Sequence, residues 1–309
     1  MIVVAGEALI DLAPRGEQLL PLPGGSPYNV AVGLGRLGRT TRYLGGLSTD
    51  AFGRRLAERL AAEDVDASLA PRFDEPTTLA VLHLDEQGAA TYGFYLDGTA
   101  AARLDAEHLP ALPDRAILHV SLGAIGLAHA PTGQALAGLL AREAGRRLTS
   151  LDPNVRPLVF AQAGGLAPYA ARVEEVIGHL DLVKVSDEDL EQLHPGLGWQ
   201  EAASRWAAAG PAVVVVTRGA EGAVALTSDA GLVEVPGEHV EVVDTVGAGD
   251  AYTSGLLAWL DREGVTDRPA LVALDEVQLA RALTYARRVA AITCTRAGAD
   301  PPRAAEVHA

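Results

Sequence analysis

A glycine-rich turn that leads directly into an aspartate and an apolar helix is the part of this sequence with the clearest chemical meaning. Residues 244–250 read DTVGAGD, and the ten residues after them are apolar enough to form a buried helix. The first N–H groups of a helix have no partners within it, so those of Gly247, Ala248 and Gly249 favour an anion such as phosphate. Asp250 is suited to accept the proton of a hydroxyl that attacks that phosphate. The turn predicts phosphoryl transfer, and its structural alternative is a glycine-capped turn with an aspartate at the helix dipole.

Four other motifs accompany this turn along the chain. They are GGSPYNVA with LGRLG close behind it (residues 24–38), GGLSTDAFG (45–53), DPNVRP (152–157) and TRGAEG (217–222). Together with DTVGAGD they resemble the signatures of the ribokinase-like (PfkB) carbohydrate kinases, and they are most similar to those of fructokinases and 2-keto-3-deoxygluconate kinases. The matches span nearly the whole chain, so the resemblance applies to the chain as a whole. It implies an ATP- and Mg²⁺-dependent sugar kinase.

The resemblance also implies roles for residues around the sugar. Asp250 is expected to be the general base, and the N–H groups of Gly247, Ala248 and Gly249 are expected to stabilise the transferred phosphoryl group. The residues expected to contact the sugar are Asp11, Gly24, Gly25, Asn29, Phe94, Arg156 and Asp250 itself. The structural alternatives are a turn-forming role for Asp11, a helix cap for Asn29 and a salt bridge for Arg156.

Nucleotide contacts are expected at strand ends, because open α/β sheets bind ligands at the carboxyl ends of their strands. The chain has no GxxxxGK[ST] loop. By resemblance, the residues that bind ATP are Thr217, Gly219, Gly222, Lys184, Ser186, Gly247 and Gly249. A surface lysine is the alternative for Lys184. Where the family usually has Asn-x-x-Glu, this chain has Ser186 and Asp189, and Asp189 is expected to hold Mg²⁺ through water.

A potassium site is implied by two further segments that align with a monovalent-cation loop of many relatives. The residues concerned are Asp244, Val246, Thr293, Arg296 and Gly298. The Asp244 carboxylate and backbone carbonyls of the other residues would supply hard oxygen ligands. Simple packing of two loops is the alternative.

The choice of sugar depends on the segment FYLDGTA at residues 94–100. 2-Keto-3-deoxygluconate kinases commonly carry an arginine two residues before the glycine, where it pairs with the sugar carboxylate, and an aromatic hydroxyl two residues earlier. Here those positions are Leu96 and Phe94, so a neutral sugar is expected, and fructose is the first choice. 2-Keto-3-deoxygluconate kinase, ribokinase and nucleoside kinase stay open as alternatives. A catalytically silent sugar-binding regulator is the non-enzyme alternative, and the intact Asp250 and anion turn argue against it.

Composition fits one large α/β domain over residues 1–309. The chain is 49% hydrophobic and 5% aromatic, and its formal net charge of −15 disfavours an electrostatic grip on nucleic acid or anionic membranes. The single cysteine, Cys294, has no partner for an internal disulfide, and neither a leader-like segment nor a membrane-spanning apolar run is evident. We therefore expect a cytoplasmic enzyme. The eight histidines show no zinc spacing.

Short β-branched runs alternate with alanine- and leucine-rich stretches, which is the pattern of parallel strands joined by crossover helices. Strands are predicted at residues 2–5, 117–120, 148–151, 182–185 and 213–217, and helices at 29–37, 52–62, 134–147, 199–209, 251–260 and 279–292. Because the strands are continuously apolar, we expect a mostly parallel central sheet flanked by helices on both faces. This is the three-layer ribokinase-like fold that the resemblance implies.

A small β-sheet lid over the sugar is expected from residues 11–22 and 77–100. The runs 79–84 and 90–95 flank DEQG at residues 85–88, which is a hairpin signal. Unpaired strand edges in such a lid often find a partner, so a homodimer is expected.

Overall fold

The structure is a computed structural model of the chain, and it describes residues 1–16, 18–84, 90–121, 130–156, 165–229 and 231–307. The predicted DEQG hairpin turn lies outside the described residues. The strands are β1 (Ile2–Ala5), β2 (Leu9–Arg15), β3 (Gln18–Gly24), β4 (Thr41–Leu44), β5 (Leu47–Ser48), β6 (Val65–Asp66), β7 (Arg72–Phe73), β8 (Leu79–Leu84), β9 (Ala90–Tyr95), β10 (Ile117–Ser121), β11 (Thr149–Asp152), β12 (Leu182–Ser186), β13 (Val213–Thr217), β14 (Ala223–Thr227) and β15 (Leu232–Val235).

Nine of these strands form the central sheet, in the order β15–β14–β13–β12–β11–β10–β1–β4–β6. From β13 to β6 every neighbouring pair is parallel, and β14 and β15 add an antiparallel edge. The four consecutive valines of β13, residues 213–216, are all buried, as a strand covered on both faces requires. The prediction of a mostly parallel central sheet is confirmed.

Helices cover both faces of this sheet. They are α1 (Ser26–Arg36), α2 (Ala51–Ala62), α3 (Thr132–Glu143), α4 (Leu166–Ile177), α5 (Asp187–Leu193), α6 (Trp199–Ala209), α7 (Ala248–Arg262), α8 (Arg268–Val272), α9 (Glu276–Cys294) and α10 (Ala304–Val307). Alternate residues of β1 point into different layers: Ile2 and Val4 join a core with α1, α7 and α9, whereas Val3 and Ala5 join one with α3, α4 and α6. The predicted three-layer arrangement is therefore confirmed.

The start of α1 differs from the prediction and changes the interpretation of one site residue. The helix begins at Ser26 rather than residue 29, because Gly25 is its N-cap and Pro27 fits the first turn. Asn29 thus lies inside the helix, where its N–H donates to the Gly25 carbonyl at 2.9 Å. The alternative interpretation of Asn29 as a helix cap is wrong.

A second, small sheet has the strand order β3–β2–β8–β9. Its register places Leu22, Asp11, Ala80 and Phe94 in one cross-strand row, so these side chains share one face of the sheet. Along β2 the residues change from buried at Leu9 to exposed at the far end. The small sheet is therefore rooted in the main body at one end and projects from it at the other.

Among the described residues, no helix combines the length and apolar character that crossing a bilayer would need.

Candidate active site

The carboxylate of Asp250 lies at the meeting point of several chain segments. It is in the first turn of α7 and only 6% exposed. Its Oδ1 accepts hydrogen bonds from Ser26 Oγ at 2.6 Å and from Asn154 Nδ2 at 3.5 Å, and its Oδ2 accepts one from Asn29 Nδ2 at 2.9 Å. Burial raises the pKa of Asp250, while the hydrogen bonds from Ser26 and Asn29 and the positive charge of Arg156 lower it. The structure thus brings Asn29 and Asp250 together, as the sequence predicts.

The anion loop, residues 244–250, turns sharply into α7. Gly247 is the N-cap with φ 77°, and a Cβ there would lie 2.6 Å from the Cβ of Ala299, so only glycine fits. The N–H of Ala248 already donates to the Thr245 carbonyl at 3.2 Å. Within the described residues, the N–H groups of Gly247 and Gly249 have no such partner, so they are the better placed of the three predicted donors.

Lys184 lies beside this loop in a buried ion pair. Its Nζ is 3.1 Å from Asp152 Oδ2, and the two side chains are 5% and 0% exposed. A Cβ built on Gly249 would lie 3.1 Å from the same Nζ, so the ammonium group adjoins the start of α7. Lys184 is also the only lysine in the chain, which otherwise uses arginine for its basic side chains. The alternative of a surface lysine is wrong.

Asp152 connects the ion pair to the rest of the site. Its Oδ2 also accepts a hydrogen bond from Thr253 Oγ1 of α7 at 3.3 Å, and its Oδ1 accepts the N–H of Asn154 at 3.1 Å. The predicted magnesium residue Asp189 is buried as well, and its N–H donates to Ser186 Oγ at 3.0 Å. Burial, with the charge of Asp152, raises the pKa of Asp189 to about 6, and Lys184 opposes that shift. Two acids therefore share one buried cation.

The predicted sugar residues Asp11, Gly24 and Gly25 lie together near the base of the small sheet. A Cβ on Gly24 would lie 2.0 Å from Asp11 Oδ2, and one on Gly25, where φ is 103°, would lie 2.7 Å from the carbonyl oxygen of Glu7. Gly25 is therefore required by its backbone, whereas a side chain at position 24 would displace the Asp11 carboxylate. Burial raises the pKa of Asp11 to about 6, and Arg156 opposes that shift. Phe94 lies in the same cross-strand row of the small sheet as Asp11, so the two side chains are on one face of that sheet.

A buried acid that sequence reasoning missed, Glu7, lies close to this group. It is 3% exposed, and its Oε2 has no hydrogen-bond partner within the described residues. Burial raises the pKa of Glu7 to about 7, and the charge of Asp250 acts in the same direction. A hydrogen bond to its own backbone and the charge of Arg156 lower that pKa.

Arg156 itself is exposed, and within the described residues it forms no salt bridge. Its guanidinium is the cation whose field acts on Glu7, Asp11 and Asp250.

The predicted nucleotide turn follows β13. Thr217 pairs with Ser186 in the sheet register, so the two predicted ATP contacts lie side by side at the carboxyl ends of β13 and β12. Gly219 and Gly222 have φ of 49° and 102°, and a Cβ on Gly222 would lie 2.1 Å from the Val235 carbonyl. Packing against β15 thus accounts for the second glycine independently of any ligand.

The two segments of the predicted potassium site meet through Asp244. Its Oδ1 accepts the N–H of Val246 at 3.0 Å and its Oδ2 accepts that of Gly298 at 2.8 Å. Thr293, buried near the end of α9, donates its hydroxyl to the Val289 carbonyl, and the side chain of Arg296 pairs with Glu306. The side chains of these two residues are therefore engaged elsewhere, which leaves their backbone carbonyls as the candidate ligands.

Sequence reasoning also missed four polar residues around Asp250 and Lys184. They are Ser26, Ser121, Asp152 and Asn154. Asp152 and Asn154 belong to the DPNVRP motif, which directly follows an apolar strand. Their position was a usable signal, because polar residues at the carboxyl end of a parallel strand face the edge of the sheet where ligands bind. Ser121, which directly follows the predicted strand 117–120, carried the same signal, whereas Ser26 lies at a helix start and carried none.

Comparison with known proteins identifies the family of this chain. Residues 1–305 match the family described as "pfkB family carbohydrate kinase". A fructokinase of Rhizobium leguminosarum bv. trifolii is 40% identical over 285 residues, covering 90% of this chain and 85% of that protein. The crystal structure of a fructokinase from Xylella fastidiosa with bound ATP has a TM-score of 0.88 at 28% identity and covers 99% of this chain and 96% of that one. A fructokinase from Vibrio cholerae O395, in a form bound to fructose, ADP and calcium ion, has a TM-score of 0.85 at 30% identity, with coverage of 99% and 97%. The chain therefore belongs to the pfkB family of carbohydrate kinases.

Proposed function

We propose that this carbohydrate kinase is a fructokinase that converts D-fructose and ATP into fructose 6-phosphate and ADP. The relatives at 40% identity and at a TM-score of 0.85 carry that name, and the second was crystallised with fructose and ADP. In the transfer, the terminal hydroxyl oxygen of fructose bonds to the γ-phosphorus as the bond from that phosphorus to the bridging oxygen breaks. ADP leaves with the electron pair, and the hydroxyl proton passes to Asp250.

The observation that carries this proposal is the position of Asp250. Its carboxylate lies in the first turn of α7, beside Gly247 and Gly249, and it is held by Asn29, a predicted sugar contact. Because burial raises its pKa, Asp250 accepts a proton more readily than an exposed aspartate, while its hydrogen bonds limit that shift. A proton acceptor and an anion site within one helical turn are what transfer to an alcohol requires.

The charges around the sugar side favour a neutral substrate. Three acids, the buried Glu7 and Asp250 and the half-buried Asp11, lie in the field of the Arg156 guanidinium. A sugar acid or a sugar phosphate would add another negative charge there. Leu96, at the position where 2-keto-3-deoxygluconate kinases commonly carry arginine, is 5% exposed and packs in a small apolar cluster, so it offers no compensating cation.

The phosphates of ATP would be bound by the Gly247 and Gly249 N–H groups and by Lys184, and the rest of the nucleotide would lie over Ser186, Thr217, Gly219 and Gly222. Mg²⁺ bound with ATP neutralises phosphate charge. Asp189 is suited to hold it through water, since the acid pair that it forms with Asp152 carries more negative charge than Lys184 cancels. In the described part of the chain no three His, Cys, Asp or Glu side chains form a metal cage. Phosphate and water oxygens would therefore complete the coordination.

Four further expectations complete the proposal. Potassium would bind between the two loops that Asp244 joins, using lone pairs of its carboxylate and nearby backbone carbonyls. The small sheet would act as the lid, since Asp11 and Phe94 share the face that carries the predicted sugar contacts. A homodimer through the edges of that sheet and a cytoplasmic location stay predictions.

ADP release from the purified enzyme tests the proposal. Fructose, ribose, 2-keto-3-deoxygluconate and adenosine are supplied in turn with ATP and Mg²⁺, and ³¹P NMR identifies the phosphorylated position. We expect fructose to give the highest kcat/KM and fructose 6-phosphate to be the product. A preference for 2-keto-3-deoxygluconate would overturn the charge argument. Sugar binding without ADP from any of the four would favour the silent regulator.

A further inference from the structure

The hydroxyl of Ser26 is the centre of a buried polar cluster behind the catalytic carboxylate. Ser26 Oγ is 2.6 Å from Asp250 Oδ1, 2.7 Å from Ser121 Oγ and 3.1 Å from Asn154 Nδ2. The four residues come from α1, β10, the segment after β11, and α7. Ser26, Ser121, Asn154 and Asp250 are 8%, 0%, 6% and 6% exposed. We call these residues the Ser26 cluster.

The direction of each hydrogen bond in the Ser26 cluster follows from chemistry. A carboxylate has no hydrogen to give, so the single hydrogen of Ser26 points to Asp250. Ser121 must then donate its own hydrogen to Ser26, and the amide of Asn154 donates as well. The hydroxyl oxygen of Ser26 therefore receives two donors and gives one. Both donors polarise the Ser26 O–H group toward the carboxylate, since linked hydrogen bonds strengthen one another.

The backbone fixes both sides of the Ser26 cluster. Ser26 follows Gly25, whose φ is 103°, and the next residue, Pro27, is packed so closely that a Cβ on Gly6 would lie 2.6 Å from its Cγ. On the other side, Asn154 adopts a left-handed φ of 48°, and its N–H is held by Asp152 Oδ1 at 3.1 Å. Asparagine tolerates this conformation better than most residues, and the Asp152 contact fixes it here. The backbone thus holds both sides of the cluster in place.

We propose that Ser26 is a positioning residue for the catalytic base: it holds Oδ1 of Asp250 so that the Oδ2 side, where Asn29 lies, faces the sugar hydroxyl. The inference rests on the proposed kinase function. Its physical content is that Oδ1 is enclosed by the Ser26 cluster, while Oδ2, which accepts one hydrogen bond from Asn29, keeps a lone pair for the substrate. Pre-orientation of the acceptor contributes to rate because the reacting groups need not be arranged during the reaction.

The same contact acts on proton affinity. A hydrogen bond donated to a carboxylate favours its charged form, so Ser26 lowers the pKa of Asp250 against the effect of burial. The other groups that face Asp250 are Asn154, which donates to Oδ1 at 3.5 Å, Asn29 and Arg156, which lower its pKa, and Asp152, which raises it. Its charge in turn raises the pKa of Glu7 and Asp11. Removal of the Ser26 hydroxyl takes one acceptor from the Asn154 amide and leaves the other groups unaltered.

The test compares three serine-to-alanine variants. Ser26→Ala should lower kcat about tenfold, with KM for sugar and for ATP within about twofold of wild type, and it should move the acid limb of the pH–kcat profile to higher pH. Ser121→Ala removes only the donor behind Ser26 and should move the limb in the same direction by less. Ser204→Ala, an exposed serine of α6 whose hydroxyl bonds the Gln200 carbonyl, is the control and should change neither quantity.

A second measurement separates this proposal from the proposed function. The carboxyl ¹³C signal of Asp250, assigned by its loss in Asp250→Asn, is titrated in wild type and in Ser26→Ala without any sugar. A titration midpoint that is higher in Ser26→Ala supports the proposal even if fructose is not the substrate. Superimposable titrations, or a kcat for Ser26→Ala equal to that of wild type on the best substrate found, would overturn it. A fall in thermal stability alone would assign Ser26 a merely structural role and overturn it too.

Discussion

The surroundings of Asp250 and the small sheet represent opposite ways of building a site. Around Asp250, buried polar atoms from α1, β10, the segment after β11, and α7 satisfy one another without a ligand. On the small sheet, β3 leaves Leu20 and Leu22 39% exposed on the face that carries Asp11. Asp250 is thus held by the fold itself, whereas the small sheet leaves apolar side chains uncovered. In the proposed kinase, the first region would position the transferring groups in advance, and the second would be covered when the sugar binds.

The reason for this contrast lies in the two sheets. The parallel strands that end near Asp250 are covered by helices on both faces, so their terminal residues are held within a close-packed core. The small sheet is buried only at its root, where Leu9 and Ile10 of β2 are 5% and 0% exposed, and it becomes exposed toward Arg15. An element with few buried contacts moves at low cost in free energy.

The largest effect expected in the rigid region follows from Asp250→Asn. The amide keeps the shape of the side chain but cannot accept the hydroxyl proton, so kcat should fall by about 10³-fold. Thermal stability should stay equal or rise, because the variant removes a buried charge. ADP release at saturating substrates and a thermal melt measure the two quantities, with Asp114→Asn on the surface as the control. Retention of more than about a tenth of wild-type kcat would remove Asp250 as the base.

Lys184→Arg tests whether the charge beside the anion loop must be a lysine. The ammonium is a compact donor packed against Gly249, and the larger planar guanidinium does not fit that space, so kcat/KM for ATP should fall about 100-fold. The Lys184→Met variant should show an equal fall in kcat/KM for ATP. It should also be less stable than wild type, since Asp152 is left buried without its partner. Lys184→Met with Asp152→Asn should recover the stability but not the activity. An active Lys184→Arg enzyme would contradict the assignment.

The sequence predicted the parts of this molecule that depend on local pattern. The valine run of β13 and the glycine turn before α7 are explicit in the chain, because continuous burial and left-handed backbone restrict residue type directly. The contacts within the Ser26 cluster were not predictable. Ser26 lies 95 residues from Ser121 and 128 from Asn154, and a buried serine at a strand end looks like any other serine until the fold joins them.

Glu7 shows a different limit of sequence reasoning. Its position directly after β1 marks it as a candidate, but its burial and its raised pKa depend on α1 and on the neighbouring acids. The antiparallel strands β14 and β15 were also missed. β15 is the edge strand, and its alternation of exposed and buried residues removes the continuous apolar signal that identified the central strands, whereas the apolar start of β14 was a usable signal.

The Glu7→Gln variant tests how far the buried charge of Glu7 lowers the free energy of unfolding. The folded-state pKa of Glu7, about 7, lies above its ordinary value of 4.5. The contribution of Glu7 to the free energy of unfolding is therefore fully present below pH 4.5 and is lost as pH rises through 7. Glu7→Gln should change little at pH 4.5 and should raise the free energy of unfolding by on the order of 2 kcal/mol above pH 7. Denaturant unfolding across this pH range measures the difference, and Glu58→Gln on the surface of α2 serves as the control. A pH-independent difference between Glu7→Gln and wild type would refute the interpretation.

The smallest effect should come from the small sheet, and it depends on which face is changed. Leu20 and Leu22 share the face of Asp11, whereas Leu19, 50% exposed, lies on the opposite face. If the sheet closes over the sugar, the first two leucines lose exposed area on binding. A Leu20→Ser, Leu22→Ser variant should then raise KM for fructose about fivefold with kcat within about twofold, because each leucine contributes roughly 1 kcal/mol or less when it is partly covered. Leu19→Ser should leave KM unchanged. Equal effects of the two variants would mean that both faces are covered in the working enzyme. The mass of each variant in solution would then show whether a second copy of the chain provides that cover, because a lid alone contacts the sugar with one face only.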